Sequence, residues 1–215
     1  MKDRSGKLAG PWALALGILM SGISASASAV LLDRGPDMVY DTVLDITWTR
    51  QAGDGVERTA AGAISWADSL VFGGFDDWRL PFASVSAGAG PTSSVYSCNG
   101  AGGVDEVACR DNEMGYMFYY NLDGTVGENK NGTQTAVGGE QLTGITFVYW
   151  SGTSDFSGTW VLNFFNGAQG PVNSSGNHAW AVRPGDVAAV PEPGVLLLLG
   201  VGALGLALSR RRVAA

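Results

Sequence analysis

The strongest constraint on this chain is that its two most apolar stretches sit at its ends, outside anything that can be a domain core. Residues 194–208 run fifteen positions without a charged or strongly polar side chain, fenced by Pro191 and Pro193 before and Arg210, Arg211 and Arg212 after. Proline fixes φ and lacks a donor, so a helix must start after position 193. Fifteen helical residues reach roughly 22 Å, short of the ~30 Å hydrocarbon core of a bilayer. The three arginines can snorkel to headgroups and belong on the cytoplasmic side. We read a C-terminal membrane helix, against the alternative of a buried core helix. At the other end Lys2, Arg4 and Lys7 precede an apolar run over residues 12–23, and Ala27-Ser28-Ala29 supplies small side chains, which predicts signal-peptide cleavage after Ala29. The fold must therefore come from residues 30–190, enough for one domain with a real core.

The tail Val190-Pro191-Glu192-Pro193, the apolar stretch and the arginine cluster resemble the PEP-CTERM sorting signal of Gram-negative bacteria. The resemblance implies recognition by an exosortase, removal of the tail near the motif, and a helix that anchors only temporarily. Export to the periplasm, outer surface or extracellular matrix follows.

Between the signals stand seven basic residues against eighteen acidic ones, near −11, compared with −7 for the whole chain. Such a surface repels phosphate backbones and anionic lipid, which argues against nucleic-acid binding. Acidic balance can serve calcium, whose ligands are oxygens, or simply solubility. Cys98 and Cys109 are close in sequence and exported, so they read as a disulfide that stabilises by roughly 3 kcal/mol. A redox or metal pair is the alternative, without a CxxC spacing or nearby histidine.

Local patterns predict an α+β domain with antiparallel strands, two helices and long loops. Residues 38–40 and 46–49 are short β-prone runs. Residues 59–74 place Ile64, Ala67 and Val71 on one helical face, with Gly73-Gly74 as the stop. Asp111 is the expected cap of a second helix carrying Met114, Met117, Phe118 and Leu122. Residues 145–150, 159–165 and 178–183 read as strands, and residues 128–141 as a long mobile loop.

Six tryptophans punctuate this domain, in LDITW, ISWADSL, FDDWRLP, VYWSGT, TWVLNFFNG and HAWAVRPG. In this order the phrases resemble the Lcl C-terminal domain family over about residues 33–186, with Asp77-Trp78-Arg79-Leu80-Pro81 as the most specific element. The resemblance implies the C-type-lectin-like fold of formylglycine-generating enzymes, a small antiparallel sheet with two helices and long loops. After that signature the family's helix start is replaced here by FASVSAGAGPTSS and the cysteine loop. The expected organisation is a signal peptide (1–29), an Lcl-like domain (30–186) and a sorting segment (187–215).

The signature also has a mechanical reading. Pro81 pushes Leu80 into an extended conformation. Trp78 and Leu80 then point one way and Arg79 the other, free to fork onto Asp76, Asp77 or a carboxylate further along. No catalytic constellation assembles: His178 is the single histidine, and Asp76/Asp77 and Asp105/Glu106 are adjacent pairs that face apart. The expectation is a non-catalytic module that binds glycan, exopolysaccharide or a surface protein, with Trp150 and Trp160 as candidate stacking faces. A passive envelope or biofilm-matrix protein is the alternative, and an enzyme the weaker one. Asp155, Asn163 and Asn166, with Asn173 and Asn177, are oxygen-bearing candidates for calcium, equally readable as turn residues. No other cofactor is expected.

Overall fold

The structure is a computed structural model that describes residues 30–85, 98, 105–173 and 176–187. The signal peptide, the sorting motif Val190–Pro193, residues 194–208 and the arginine cluster lie outside the described residues. Among the described residues no helix is long and apolar enough to cross a membrane.

Three antiparallel sheets dominate. The first holds β1 (Leu31–Asp33), β2 (Met38–Asp41), β3 (Ile46–Thr49) and β9 (Val182–Pro184), in that spatial order. The second pairs β4 (Gly132–Thr135) with β5 (Gln141–Ile145). The third joins β6 (Val148–Asp155), β7 (Gly158–Asn163) and β8 (Gln169–Val172). Helices are few and short: α1 (Ala60–Asp68), α2 (Glu106–Cys109), and α3 (Glu113–Tyr116), which runs on into a π-helical turn over Met117–Asn121.

Strand alternation explains the first sheet. Along β2, Val39 and Asp41 point inward while Met38 and Tyr40 lie on the outer side. In register, Leu31, Asp41, Ile46 and Pro184 form one row across the sheet. The start of β1 and the end of β9 therefore emerge at the same end of one sheet, three strand spacings or roughly 14 Å apart.

Inward of that sheet lies an aromatic core. Trp48 and Trp180 meet edge-on at 5.0 Å, and Tyr149 and Phe164 each pack within 6 Å of Trp180. Phe118 from the π-helical turn closes the cluster against Phe164 at 5.7 Å. Such edge and tilted pairs add to the area term for large rings removed from water. A smaller core under α1 gathers Ala63, Ala67, Leu80, Trp150 and Val161.

Several predicted elements differ. The stretch read as a mobile loop is the β4–β5 hairpin, since alternating Thr and Gln supply strand pairing despite their polarity. The predicted strand 145–150 is two strands broken at Thr146–Phe147. α1 starts where expected, with Thr59 Oγ1 accepting from Gly62 N at 3.2 Å, but ends at Asp68. It buries Ala63 and Ala67, leaving Ile64 38 % and Val71 75 % exposed, because small residues let the helix approach Trp150 closely. Asn112, one residue later than expected, caps α3 by accepting from Gly115 N.

Candidate functional site

The signature segment is built around contacts far away in sequence. Trp78 and Leu80 are buried, and the Trp78 Nε1 donates to the Phe72 carbonyl at 3.1 Å. Between them Arg79 exchanges two backbone hydrogen bonds with Val182, the first residue of β9. Its guanidinium forks onto Glu113, Nη1 to Oε2 and Nη2 to Oε1, both at 2.7 Å. The same Glu113 Oε2 accepts from Phe82 N at 2.7 Å, just past Pro81. Of the carboxylates considered from sequence, Asp77 turns instead to Arg183, at 2.7 and 2.9 Å. That guanidinium holds the Asp77 carboxyl below its usual range. The signature thus welds the middle of the chain to α3 and to β9.

The two candidate stacking tryptophans are inside. Trp150 is 1 % exposed and Trp160 3 %. Trp150 Nε1 donates to the Arg58 carbonyl at 2.7 Å, and Trp160 Nε1 to Asp155 Oδ2 at 2.8 Å. A ring enclosed on both faces cannot stack on a sugar, so neither supplies the binding surface expected of it. Trp150 faces the same side as Val161, so Trp160 points to the opposite face; the consecutive burial of Trp160, Val161 and Leu162 shows that β7 is covered on both faces.

The calcium candidates do not converge. Asp155 sits at the tip of the β6–β7 hairpin, whereas Asn163 ends β7 some five residues or roughly 17 Å away. Each oxygen already closes a local turn: Asp155 Oδ1 accepts from Ser157 N, Asn163 Oδ1 from Phe165 N, and Asn166 Oδ1 from Ala168 N. Asn173 donates to the Ser157 carbonyl, and Asn177 pairs through its backbone with Arg58. Among the described residues no group of three or more His, Cys, Asp and Glu side chains gathers as a metal site.

Cys98 and Cys109 form a disulfide, with Cα atoms 5.0 Å apart. Both half-cystines are buried in the main core. A Cβ on Gly115 would come within 2.4 Å of Cys98 Cβ, so only glycine lets the bridge lie this close to α3. His178 lies against the Tyr149 ring at 5.9 Å, with its Nε2 3.9 Å from Glu57. No serine or cysteine nucleophile hydrogen-bonds to it among the described residues.

What the structure does assemble is a cleft of about 410 Å³ between the first sheet and the segment after α1. Pro36, Leu70 and Phe72 supply apolar walls, and Asp37, Gln51, Asp54 and Thr143 supply polar ones. Asp54 is held by Arg58 at 2.8 Å, which depresses its carboxyl. Arg50, also in the wall, spends its terminal nitrogens on Asp33, Glu140 and three carbonyls. The two arginines are thus engaged, and the exposed Asp37 and Asp54 both contribute to the lining. Sequence reasoning missed this cleft because its walls come from four separate stretches, none with a motif. A second hollow of about 500 Å³ has the Arg79–Glu113 pair in its wall.

Comparison with known proteins bears on the tail. Residues 189–212 match a family described as the PEP-CTERM protein-sorting motif. No curated protein and no solved structure matches the chain. The chain carries a PEP-CTERM tail and, with it, the mark of an exported protein sorted by an exosortase at the membrane of a Gram-negative bacterium.

Proposed function

We propose that the chain is an exosortase-sorted surface or matrix protein whose domain is a non-catalytic binding module for a neutral glycan or exopolysaccharide. The Lcl-like order of its tryptophan phrases supports a C-type-lectin-like module, and the tail supports delivery to the outer surface. The observation that carries the binding reading is the cleft of about 410 Å³, whose apolar walls and carboxylate and amide rim suit a ring with hydroxyl groups. Asp37 disfavours an anionic ligand there, in line with the acidic surface as a whole.

The test is binding of the purified domain to a panel of neutral and acidic polysaccharides. The expected result is retention on a neutral member, weakened at least tenfold by Asp37→Ala with Gln51→Ala. Retention on none of them favours the passive matrix protein, and release of a shortened product favours an enzyme.

A further inference from the structure

Two phenylalanines whose rings touch stand in solvent at one end of the third sheet. Phe147 precedes β6 and is 58 % exposed; Phe165 follows β7 and is 47 % exposed. Their ring centroids lie 5.7 Å apart, with the planes tilted by 39°. The backbone that carries them is fixed from several sides. Phe164 N donates to the Phe147 carbonyl at 2.6 Å, and the Phe164 carbonyl accepts from Lys130 N at 2.8 Å. After Phe165 the chain turns at Gly167, φ +76°, where a Cβ would come within 2.7 Å of both the Phe118 ring and the Tyr119 hydroxyl. Tyr119 Oη donates to the Gly167 carbonyl at 2.7 Å, and Gly167 N to the Asn163 carbonyl at 2.7 Å. The buried aromatic core thus holds this turn from beneath. The outer rings are in place before a ligand arrives, which lowers the ordering cost of binding.

Polar donors accompany the rings. Asn163 Oδ1 accepts from Phe165 N and Asn166 Oδ1 from Ala168 N, each at 2.9 Å, which fixes both amides within two residues of Phe165. Both residues are half-buried, and their Nδ2 groups are open to solvent with no acceptor among the described residues. Lys130, the cationic residue of these joined segments, keeps its ammonium on Glu128 at 2.6 Å with 9 % of its side chain exposed. No open positive charge is therefore offered to a sulfate or a carboxylate. The exposed parts of the two rings amount to roughly 200 Å², against about 800 Å² per side in a stable protein–protein interface. A small apolar face bordered by uncharged donors matches a sugar ring, which has a C–H face and a rim of hydroxyls.

We propose that Phe147 and Phe165, with the Asn163 and Asn166 amides, form a second contact surface for a neutral polysaccharide. The rings stack on the C–H face of the sugar, and the amide N–H groups donate to its hydroxyls. The class of ligand rests on the glycan reading above; the surface itself does not depend on the cleft.

The test is affinity electrophoresis of the full chain, kept soluble in mild detergent, through gels containing hydroxyethylcellulose, galactomannan or dextran, with alginate as the anionic control. The wild type is expected to be retarded by at least one neutral polymer and not by alginate. Phe147→Ala with Phe165→Ala should raise the dissociation constant about tenfold, as loss of an aromatic anchor does. A urea midpoint near that of the wild type checks that this variant folds. Should it not fold, Asn163→Asp with Asn166→Asp carries the test: each carboxylate keeps the oxygen that closes its turn and loses the donors, and binding should weaken about fivefold. Undiminished retardation of both variants overturns the surface. Loss with the alanine pair but none with the aspartate pair overturns it too, since unspecific apolar adhesion then explains the binding. Asp37→Ala with Gln51→Ala separates the two readings. Binding lost in that variant and kept in the ring variant leaves the cleft and removes the ring surface; the reverse supports the ring surface and removes the cleft. A wild type retarded by none of the neutral polymers overturns the ring surface and the glycan reading together.

Discussion

The signature segment and the β6–β7 hairpin use the same kinds of residues, acids, tryptophans and amides, yet they are wired in opposite ways. Around Trp78-Arg79-Leu80 the partners are distant: Glu113 lies 34 positions away, and Arg183, the partner of Asp77, lies 106. At the two ends of the hairpin they are near: Asp155 serves Ser157 and Trp160, and Asn163 serves Phe165, while the mid-strand Trp150 reaches far, to the Arg58 carbonyl. A side chain that ties remote segments holds the fold together, and its loss is felt by every element it joins. One that closes its own turn stabilises only that turn, and its oxygen is committed before any ligand arrives. The difference marks the first region as a structural weld, and the cleft of the proposed binding function is lined by neither region.

The largest effect should follow from cutting the weld. Glu113→Ala leaves the Phe82 N–H without its acceptor and the Arg79 guanidinium with only the Leu80 carbonyl, in a site where Glu113 is 4 % exposed. The pair is part-buried, its Arg79 side chain 25 % exposed, so losing the acceptor should cost about 1.5–3 kcal/mol, still a large share of the stability of a domain this size. By contrast Asp77→Ala breaks an exposed pair of the same geometry and should cost under ~1 kcal/mol. Urea unfolding of both variants measures the ratio. Similar losses from the two would erase the distinction between welded and surface pairs.

This contrast also explains what was legible beforehand. Turns, strands and helix starts are local, so a helix beginning near Thr59, the strands at 38–40 and 46–49, and the helix bearing Met114, Met117 and Phe118 were readable from spacing. The burial of Trp150 and Trp160 was not, because they lie on opposite faces of the β6–β7 pair and the sheet is covered on both sides, which alternation along one strand does not reveal. Nor was β8, whose Pro171 argues against a strand and is tolerated at the edge of its sheet. The cleft was invisible for the same reason that Glu113 could not be named as the partner of Arg79. Both depend on which segments meet, and no short sequence pattern encodes that.

A second experiment asks whether shape or charge matters inside the welded region. Asp41 is fully buried at the end of β2, its Oδ1 accepting from Val43 N at 2.9 Å and Leu44 N at 3.0 Å. Its Oδ2 accepts from Asn121 Nδ2 at 2.6 Å, while Asn121 Oδ1 is buried with no partner. Burial, reinforced by the nearby Glu113, raises the Asp41 carboxyl above its ordinary range despite these hydrogen bonds. An acid whose folded value is raised binds its proton more tightly in the native state. Its ionisation therefore costs stability as pH rises through that value, and acidification relieves the cost. Asp41→Asn keeps the Oδ1 contacts and, with Asn121 flipped, lets the unpartnered Oδ1 accept from the new amide. The expected result is a variant at least as stable as wild type at pH 7, with the advantage shrinking toward pH 4. Asp41→Ala loses the turn cap and should cost about 1–2 kcal/mol. Chemical denaturation across that pH range reads both; an advantage for Asp41→Asn that grows on acidification would show that the buried charge is not the controlling cost.

The smallest effect is expected at the hairpin, from calcium. A hard cation needs six to eight oxygens at roughly 2.3–2.6 Å, several of them carboxylates free to turn toward it. Here Asp155 contributes one carboxylate, held below its usual range chiefly by the Trp160 indole hydrogen bond and then by Ser157 N. Asn163 and Asn166 lie at the other end of the strand, each closing a turn through its own oxygen. Binding would require breaking these bonds and bending β7, with little charge to offset the loss. Adding millimolar calcium to the metal-free domain should therefore leave its melting curve where it is, and Asp155→Asn should move it only slightly, through the weakened indole contact. A native-state ligand at about 100 times its Kd would add ~2.7 kcal/mol and displace the curve by several degrees. A rise of that size, abolished by Asp155→Asn, would mean that the hairpin rearranges to gather ligands from both ends, and that locally committed oxygens are not spoken for after all.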